Sequence, residues 1–356
     1  MSKPTNGTTV RFAAIDPYID TRIISAKETS SRGGEYINWG DGNRFPDYCL
    51  DLYNRVATLR SIINGCVDFA AGNGCTLVAG ALPLQDDAVN LQGMTATEMV
   101  RQLALDYYTY GGFALLVIRD RIDRVVELYP LDLRFLRTND EADVFYYCEN
   151  WRRHDEVVEY PAFMAAGTHP ASVIYVRNTH TQVYPAPLYG ACLKACETEA
   201  SIDTYHLTNI NNGFVSSLFV NFNGGNSVTD EVRDEVERDF CEKFTGAQNG
   251  GRVGFSWNPD KENATTFETF NIEDFGARYE ALSKHCRQQI FTAFRANPNL
   301  FGIPTDSLGF SSEEYDSAFK LFNRTQIRPV QQRIREAVGK AVGNPDALII
   351  EPFTLD

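Results

Sequence analysis

No stretch of this 356-residue chain approaches the run of about 18 apolar residues that a membrane-spanning helix requires. Its start, MSKPTNGTTVRF, lacks the basic and apolar regions of a secretory leader. These two absences predict a protein that stays in the cytoplasm where it is made. The phosphate-cradling pattern G-x-x-x-x-G-K-[ST] is missing: VGKAVG has a Gly-Lys pair without the upstream glycine or the following hydroxyl, which argues against a P-loop nucleotide motor. There is no G-x-S-x-G elbow and no H-E-x-x-H, and the glycines of GNGCTLVAG are spaced wrongly for a dinucleotide fingerprint.

Positive charge is also short. Lys and Arg number 33 against 47 Asp and Glu, for a net charge of −14 and a pI near 4.9. That is the opposite of what a phosphate-neutralising protein needs. It is compatible with nucleic acid in transit, which an acidic surface repels and does not trap, and equally with simple solubility. The eight cysteines are scattered among apolar neighbours in a chain too long for a disulfide scaffold, so free buried thiols are expected. Cys192 and Cys196 sit one helical turn apart upstream of His206, but a lone C-x3-C lacks the second ligand pair of a structural zinc site. His285 and Cys286 are adjacent on a helix and point about 100° apart, so they cannot form a nucleophile–base dyad. Carboxylates are too abundant for any one pair to mark a two-metal site. No catalytic group, metal or cofactor is therefore predicted.

What is present suits a packed α+β protein, with 43% hydrophobic and 12% aromatic residues. Residues 1–45 are rich in turn formers and read as an arm or an irregular strand pair. A helical pattern from Asp47 to Phe69 closes on AAGNGC, and a second helix opens at the capping box Thr95–Glu98 and stops at Gly111. FALLVIRD, RVVELYPL, LRFLRTND, DVFYYCENW, EVVEYPAF and ASVIYVRN then read as strands, so residues 46–187 form an α+β domain. Residues 188–213 are helical. Residues 214–270 read as a small β-α-β module with a further strand at ATTFETFNI, and its acidic helix places Val228, Val232, Val236, Phe240 and Phe244 on one narrow stripe. The helix over 271–295, with Phe275, Tyr279, Leu282, Cys286, Ile290 and Phe294 at helical spacing, pairs with 188–213 to give a two-helix stalk carrying the small module.

The connector 296–311 is long and apolar. Its centre is Asn299, Leu300, Phe301, Gly302, Ile303, Pro304, Thr305, Asp306, Ser307 and Leu308, and from Ala296 through Phe319 there is no Lys or Arg. Such a connector is a working loop, or else it folds back on its own core. A capping box at Ser311 and Glu314 opens a helix over 312–343 with Tyr315, Phe319, Phe322, Val330, Ile334 and Val338 on one face. Pro329 should kink or break it. Residues 344–356 hold a terminal strand, ALIIEPF.

This order resembles the portal proteins of tailed bacteriophages. TNINNGF entering a strand and the returning AQNGGRVGF are similar to that family's clip. IFTAFRANPNLFGIP and SSEEYDSAFKLFNRTQIRP are similar to its loop-bearing segment, and YTYGGFALLVIRD with VVELYPLDLRFLR to its wing. The resemblance implies a ring-forming α+β subunit with a wing at 46–187, stem helices at 188–213 and 271–295, and a clip at 214–270. A tunnel loop at 296–311 and a kinked wing helix at 312–343 follow, with the crown of larger relatives absent or vestigial. It also implies a ring of about twelve copies at one capsid vertex, assembled in the host cytoplasm and carried in the virion. Double-stranded DNA would be packaged and ejected through that ring.

The implied partners are a large terminase subunit that supplies the ATPase, a head–tail connector, and the major capsid protein. Asn299 to Leu308 would ring the DNA channel without gripping DNA. Asp230, Glu231, Asp234, Glu235 and Glu237 would face the docking partners, and Tyr315, Phe319 and Phe322 would serve packing. Two other readings stay open: a cytoplasmic enzyme with an apolar lid, and an acidic interaction protein acting through its 228–246 helix.

Overall fold

The computed structural model describes residues 9–13, 23–31, 33–84, 88–153, 156–164, 169–211, 218–223, 229–244, 253–258, 275–302 and 312–354. They fall into two compact units, Ile23–Glu197 with Lys284–Asp356, and Met1–Arg22 with Thr198–Ser283. In chain order, β1 (Thr9–Ala13) belongs to the smaller unit. The larger unit begins with the antiparallel pair β2 (Thr29–Ser30) and β3 (Ile37–Asn38).

The helix expected over Asp47–Phe69 is two helices, α1 (Phe45–Arg55) and α2 (Ala57–Ala71). Val56 between them is extended (φ −100°, ψ 102°) and fully buried, as are Leu52 and Leu59 on either side. Burying three successive apolar anchors at the bend outweighs continuity of the helix. After α2 the chain enters β4 (Gly74–Leu77).

In α3 (Ala96–Tyr110) the capping box is complete: the Thr95 hydroxyl accepts from the Glu98 N–H at 3.2 Å, and the Glu98 carboxylate accepts from the Thr95 N–H at 2.8 Å. Gly111 ends the helix in the left-handed region (φ 92°), where a Cβ would lie 2.1 Å from the Ala186 carbonyl oxygen, so only glycine fits.

β5 (Gly112–Arg119) is the central strand of an antiparallel sheet, between β6 (Val125–Leu131) and β10 (Ala171–Arg177). It is buried along nearly its whole length, which explains its unbroken apolar run. A separate antiparallel meander holds β7 (Leu136–Thr138), β8 (Val144–Tyr147) and β9 (Val158–Pro161). The predicted β-rich block is thus real but divided between sheets.

α4 (Leu193–Asn211) leads into the smaller unit. There β11 (Leu218–Phe222) and β12 (Val253–Trp257) pair in parallel, with α5 (Asp230–Phe244) as the crossover. The other edge of β12 is taken by β1, antiparallel, with Thr9 opposite Trp257 and Ala13 opposite Val253. The N-terminal segment therefore contributes a strand to the sheet of the β-α-β module, whereas the short pair β2–β3 belongs to the larger unit. The strand expected at ATTFETFNI lies outside the described residues.

α6 (Phe275–Phe294) returns the chain to the larger unit. It is followed by a 3-10 turn at Pro298–Phe301, by α7 (Ser312–Phe322), by a π-helical turn at Asn323–Ile327, and by α8 (Arg328–Val342). β13 (Leu348–Glu351) closes the chain antiparallel to β4.

Candidate functional site

The root of the connector is built by its own turn chemistry. Asn297 accepts the Asn299 N–H at 3.1 Å, Pro298 supplies a fixed φ for the first position, and Gly302 ends the turn in the left-handed region (φ 70°). Leu300 is buried and Asn299 half-buried. Phe301 lies among Phe69 (ring centroids 6.1 Å), Phe291 (6.2 Å) and Phe322 (5.6 Å), against the bare backbone of Gly65 on α2.

Of the two readings of the connector, a working loop or a loop folded back on its own core, Leu300 and Phe301 follow the second. They fold back on the core, because about 25 cal/mol per Å² of apolar burial favours any groove that accepts a ring. Gly302 is exposed. Ile303, Pro304, Thr305, Asp306, Ser307 and Leu308 lie outside the described residues, as does the Ser311 half of the proposed capping box.

The same aromatic cluster receives the helix that follows. Phe319 and Phe322 are buried against Phe69 at 5.2 and 6.3 Å, and Phe319 also meets Phe353 of the C-terminal segment at 5.7 Å. Tyr315 is half-buried. Phe69 thus joins α2, the connector root, α7 and the chain's last residues, and nothing in its local sequence marks it for that role. Pro329 is exposed near the start of α8, just after the π turn. The break expected at this proline is spread over Asn323–Ile327, where i→i+5 bonding accommodates the missing N–H.

In the smaller unit, Asp230, Glu231, Asp234 and Glu235 are exposed on α5, and the Glu237 side chain lies outside the described residues. Asp230 pairs with Arg233 at 3.3 Å. Backbone N–H donation at the helix start and the Thr229 hydroxyl hold the Glu231 carboxylate below its usual range. Arg233 lies over Trp257 at 5.6 Å, and Trp257 stacks on Phe222 at 4.2 Å. Val232 is 46% exposed, so the apolar stripe expected along this helix is only partly covered. Asn258, just after β12, donates to Asn223 at 3.2 Å and accepts from Ser256 at 3.1 Å, and Asn258 and Ser256 are both buried.

Nothing catalytic assembles among the described residues. Cys286 is buried while His285 is exposed beside Gln289. Cys192 and Cys196 are buried, and no cluster of three or more potential metal ligands occurs among the described residues. No described helix is long and apolar enough to cross a membrane.

One buried charge escaped the sequence reading: Arg137, whose guanidinium bonds the carbonyls of Leu136 (2.7 Å), Arg134 (3.0 Å) and Asn43 (3.1 Å). Burial lowers its pKa, and Trp39 and Trp151 lie over it at 5.9 and 5.1 Å. An arginine inside the alternating run LRFLRT was the only signal.

The sequence model of the phage portal protein family matches residues 90–352. The chain belongs to the phage portal protein family. No curated protein matches it by sequence. Among solved structures, it resembles a chain in the neck of a native GTA particle computed with C12 symmetry, at 15% identity and a TM-score of 0.55, covering 92% of this chain and 86% of that one. A chain of the virion of a native gene transfer agent particle gives 16% identity and a TM-score of 0.54 over 85% and 83%. An HK97 family phage portal protein from Corynebacterium diphtheriae gives 10% and 0.51 over 85% and 93%. At these identities the likeness establishes the portal fold and no more.

Proposed function

We propose that this portal-family chain is the subunit of a ring at the capsid vertex, through which double-stranded DNA enters during packaging and leaves at ejection. The family match over residues 90–352 is the observation that carries this reading. In it, α4 and α6 are the stem, the β1–β12–β11 sheet with α5 is the clip, and the connector beyond Gly302 is the tunnel loop. The exposed acids of α5 steer a large terminase subunit first and a head–tail connector afterwards.

The ring is a conduit with no chemistry of its own, and the ATPase belongs to the terminase. The aromatic root at Phe301 acts as a fixed hinge, so that only the residues after Gly302 approach DNA. The cation-free composition of 296–319 supports a steric guide over a phosphate grip.

Deleting residues 303–308 tests this in particles assembled around the variant. Ring formation should persist while packaged DNA per particle falls. DNA-filled particles at the wild-type yield would contradict the role of the loop.

A further inference from the structure

Two charged features of the larger unit lie outside the sites described above, and neither finds its opposite among the described residues. The first begins where the cation-free stretch ends: residues 320–340 carry six Lys and Arg against one acid, Glu336, and that acid accepts from Gln332 at 2.8 Å. Lys320, Arg324 and Arg328 fall four residues apart across α7, the π turn and the start of α8, and all three are exposed. Cations four apart on a helix repel one another. None of the three has a carboxylate partner among the described residues.

The second feature is a cavity of about 570 Å³ with an aromatic lining and an acidic rim. Tyr36, Tyr146 and Trp151 line it, with Tyr36 at 4.8 Å from Trp151 and 5.9 Å from Tyr146. Glu35 and Glu159, both exposed, stand at its edge without an ion-pair partner among the described residues. Arg137 lies against Trp151 from the interior, with its donors spent on Asn43 and backbone carbonyls. Burial, then Glu159, Glu35 and Asp143, hold the Tyr146 hydroxyl above its ordinary pKa; burial also raises Tyr36, where Arg137 opposes it from the interior side. Aromatic rings with carboxylates at their rim suit a guanidinium or ammonium group.

We propose that these are the two halves of one contact between copies of this chain, in which the Lys320–Arg324–Arg328 row of one subunit seats in the Glu35/Glu159 aromatic cavity of the next. The proposal rests on the ring reading above. Rings are built from heterologous contacts, whose two faces must complement each other and not themselves. Copies that each carry a net charge of −14 repel. A cationic row set against an acidic cavity offsets that repulsion at the interface and fixes which face meets which. Duplex DNA would also satisfy the cationic row, but it leaves the acidic cavity without a partner, whereas a second copy satisfies both at once.

The test is a charge swap read by assembly. Glu35→Lys with Glu159→Lys, and separately Arg324→Glu with Arg328→Glu, should each raise the concentration for half-assembly by about tenfold or more at about 0.15 M salt. All four changes in one chain should restore assembly toward the wild-type level, which a merely structural loss would not do. Thermal melting of each variant reports that the fold is kept. Either pair assembling like wild type overturns the proposal, as does a fourfold variant no better than the weaker pair. Duplex binding that the arginine changes abolish, with assembly untouched, makes the row a DNA contact and also overturns it. A wild-type chain that forms no ring overturns both this inference and the reading beneath it, whereas a wild-type ring indifferent to the swaps overturns this inference alone.

Discussion

Replacing Gly65 by alanine should destabilise the protein, although the same change in an ordinary helix interior stabilises by about 1 kcal/mol. Gly65 lies in the middle of α2, and a Cβ there would sit 2.7 Å from both Cδ1 and Cε1 of Phe301. Carbon atoms do not approach that closely, so the ring must move. Phe69, Phe291 and Phe322 surround it at centroid distances of 5.6 to 6.2 Å, and it cannot swing aside without leaving the cluster. Overpacking of this kind costs about 1–3 kcal/mol, which leaves a net loss of about 0–2 kcal/mol after the propensity gain.

Urea unfolding of four chains decides the matter: wild type, Gly65→Ala, Phe301→Ala and the double variant. With the ring gone, Gly65→Ala should recover its ordinary gain, so the two changes should couple by about 1–3 kcal/mol. A Gly65→Ala protein more stable than wild type by about 1 kcal/mol, with no coupling, would mean that Phe301 does not rest on α2. The connector root would then be free to face the proposed channel.

Phe319→Asp places a carboxylate where a 7%-exposed ring meets Phe69 and Phe353, and should cost at least about 3–5 kcal/mol in denaturant unfolding; unchanged melting would contradict the packing described. Asp106 is fully buried, and burial, with Asp132 adding to it, raises its pKa well above the usual carboxylate range. A raised carboxylate favours the folded state while protonated, so wild-type stability should fall as pH rises from about 3.9 toward the folded pKa. Asp106→Asn should therefore melt higher than wild type at pH 8 and lose that advantage in acid; an advantage independent of pH would refute the assignment. Reversing Asp234 and Glu235 together to lysine should slow docking of the terminase in a salt-dependent way and leave the assembly intact, as stopped-flow association would report. Loss of the assembly itself would show that these residues are structural.

Elements held by local chemistry were legible from the sequence. The Thr95–Glu98 box and Gly111 bound α3 within one residue, because both caps act over three or four positions. The run from β11 through α5 to β12 followed from turn formers and a helical stripe. What failed to show was set by partners far away in sequence. The pairing of β1 with β12 joins Thr9 to Trp257, and no local pattern encodes it. Phe301 on a connector reads the same whether it faces a channel or a groove, and the groove exists only because Gly65, 236 residues earlier, has no side chain. A departure from regular helix near Pro329 was legible, but its form, a π turn over Asn323–Ile327 with helical backbone on both sides, goes with the burial of Phe322 just before the turn and Ile327 at its end. The Glu35/Glu159 cavity unites residues from β2–β3, β8 and β9, and no motif could have drawn them together.

The central claim is a ring, and the mass of the purified protein in solution tests it most directly. A 40.0 kDa chain that builds a portal should sediment as a closed assembly of about a dozen copies and appear in negative stain as a disc with a central hole. A monomer or dimer at every protein concentration and salt would contradict it.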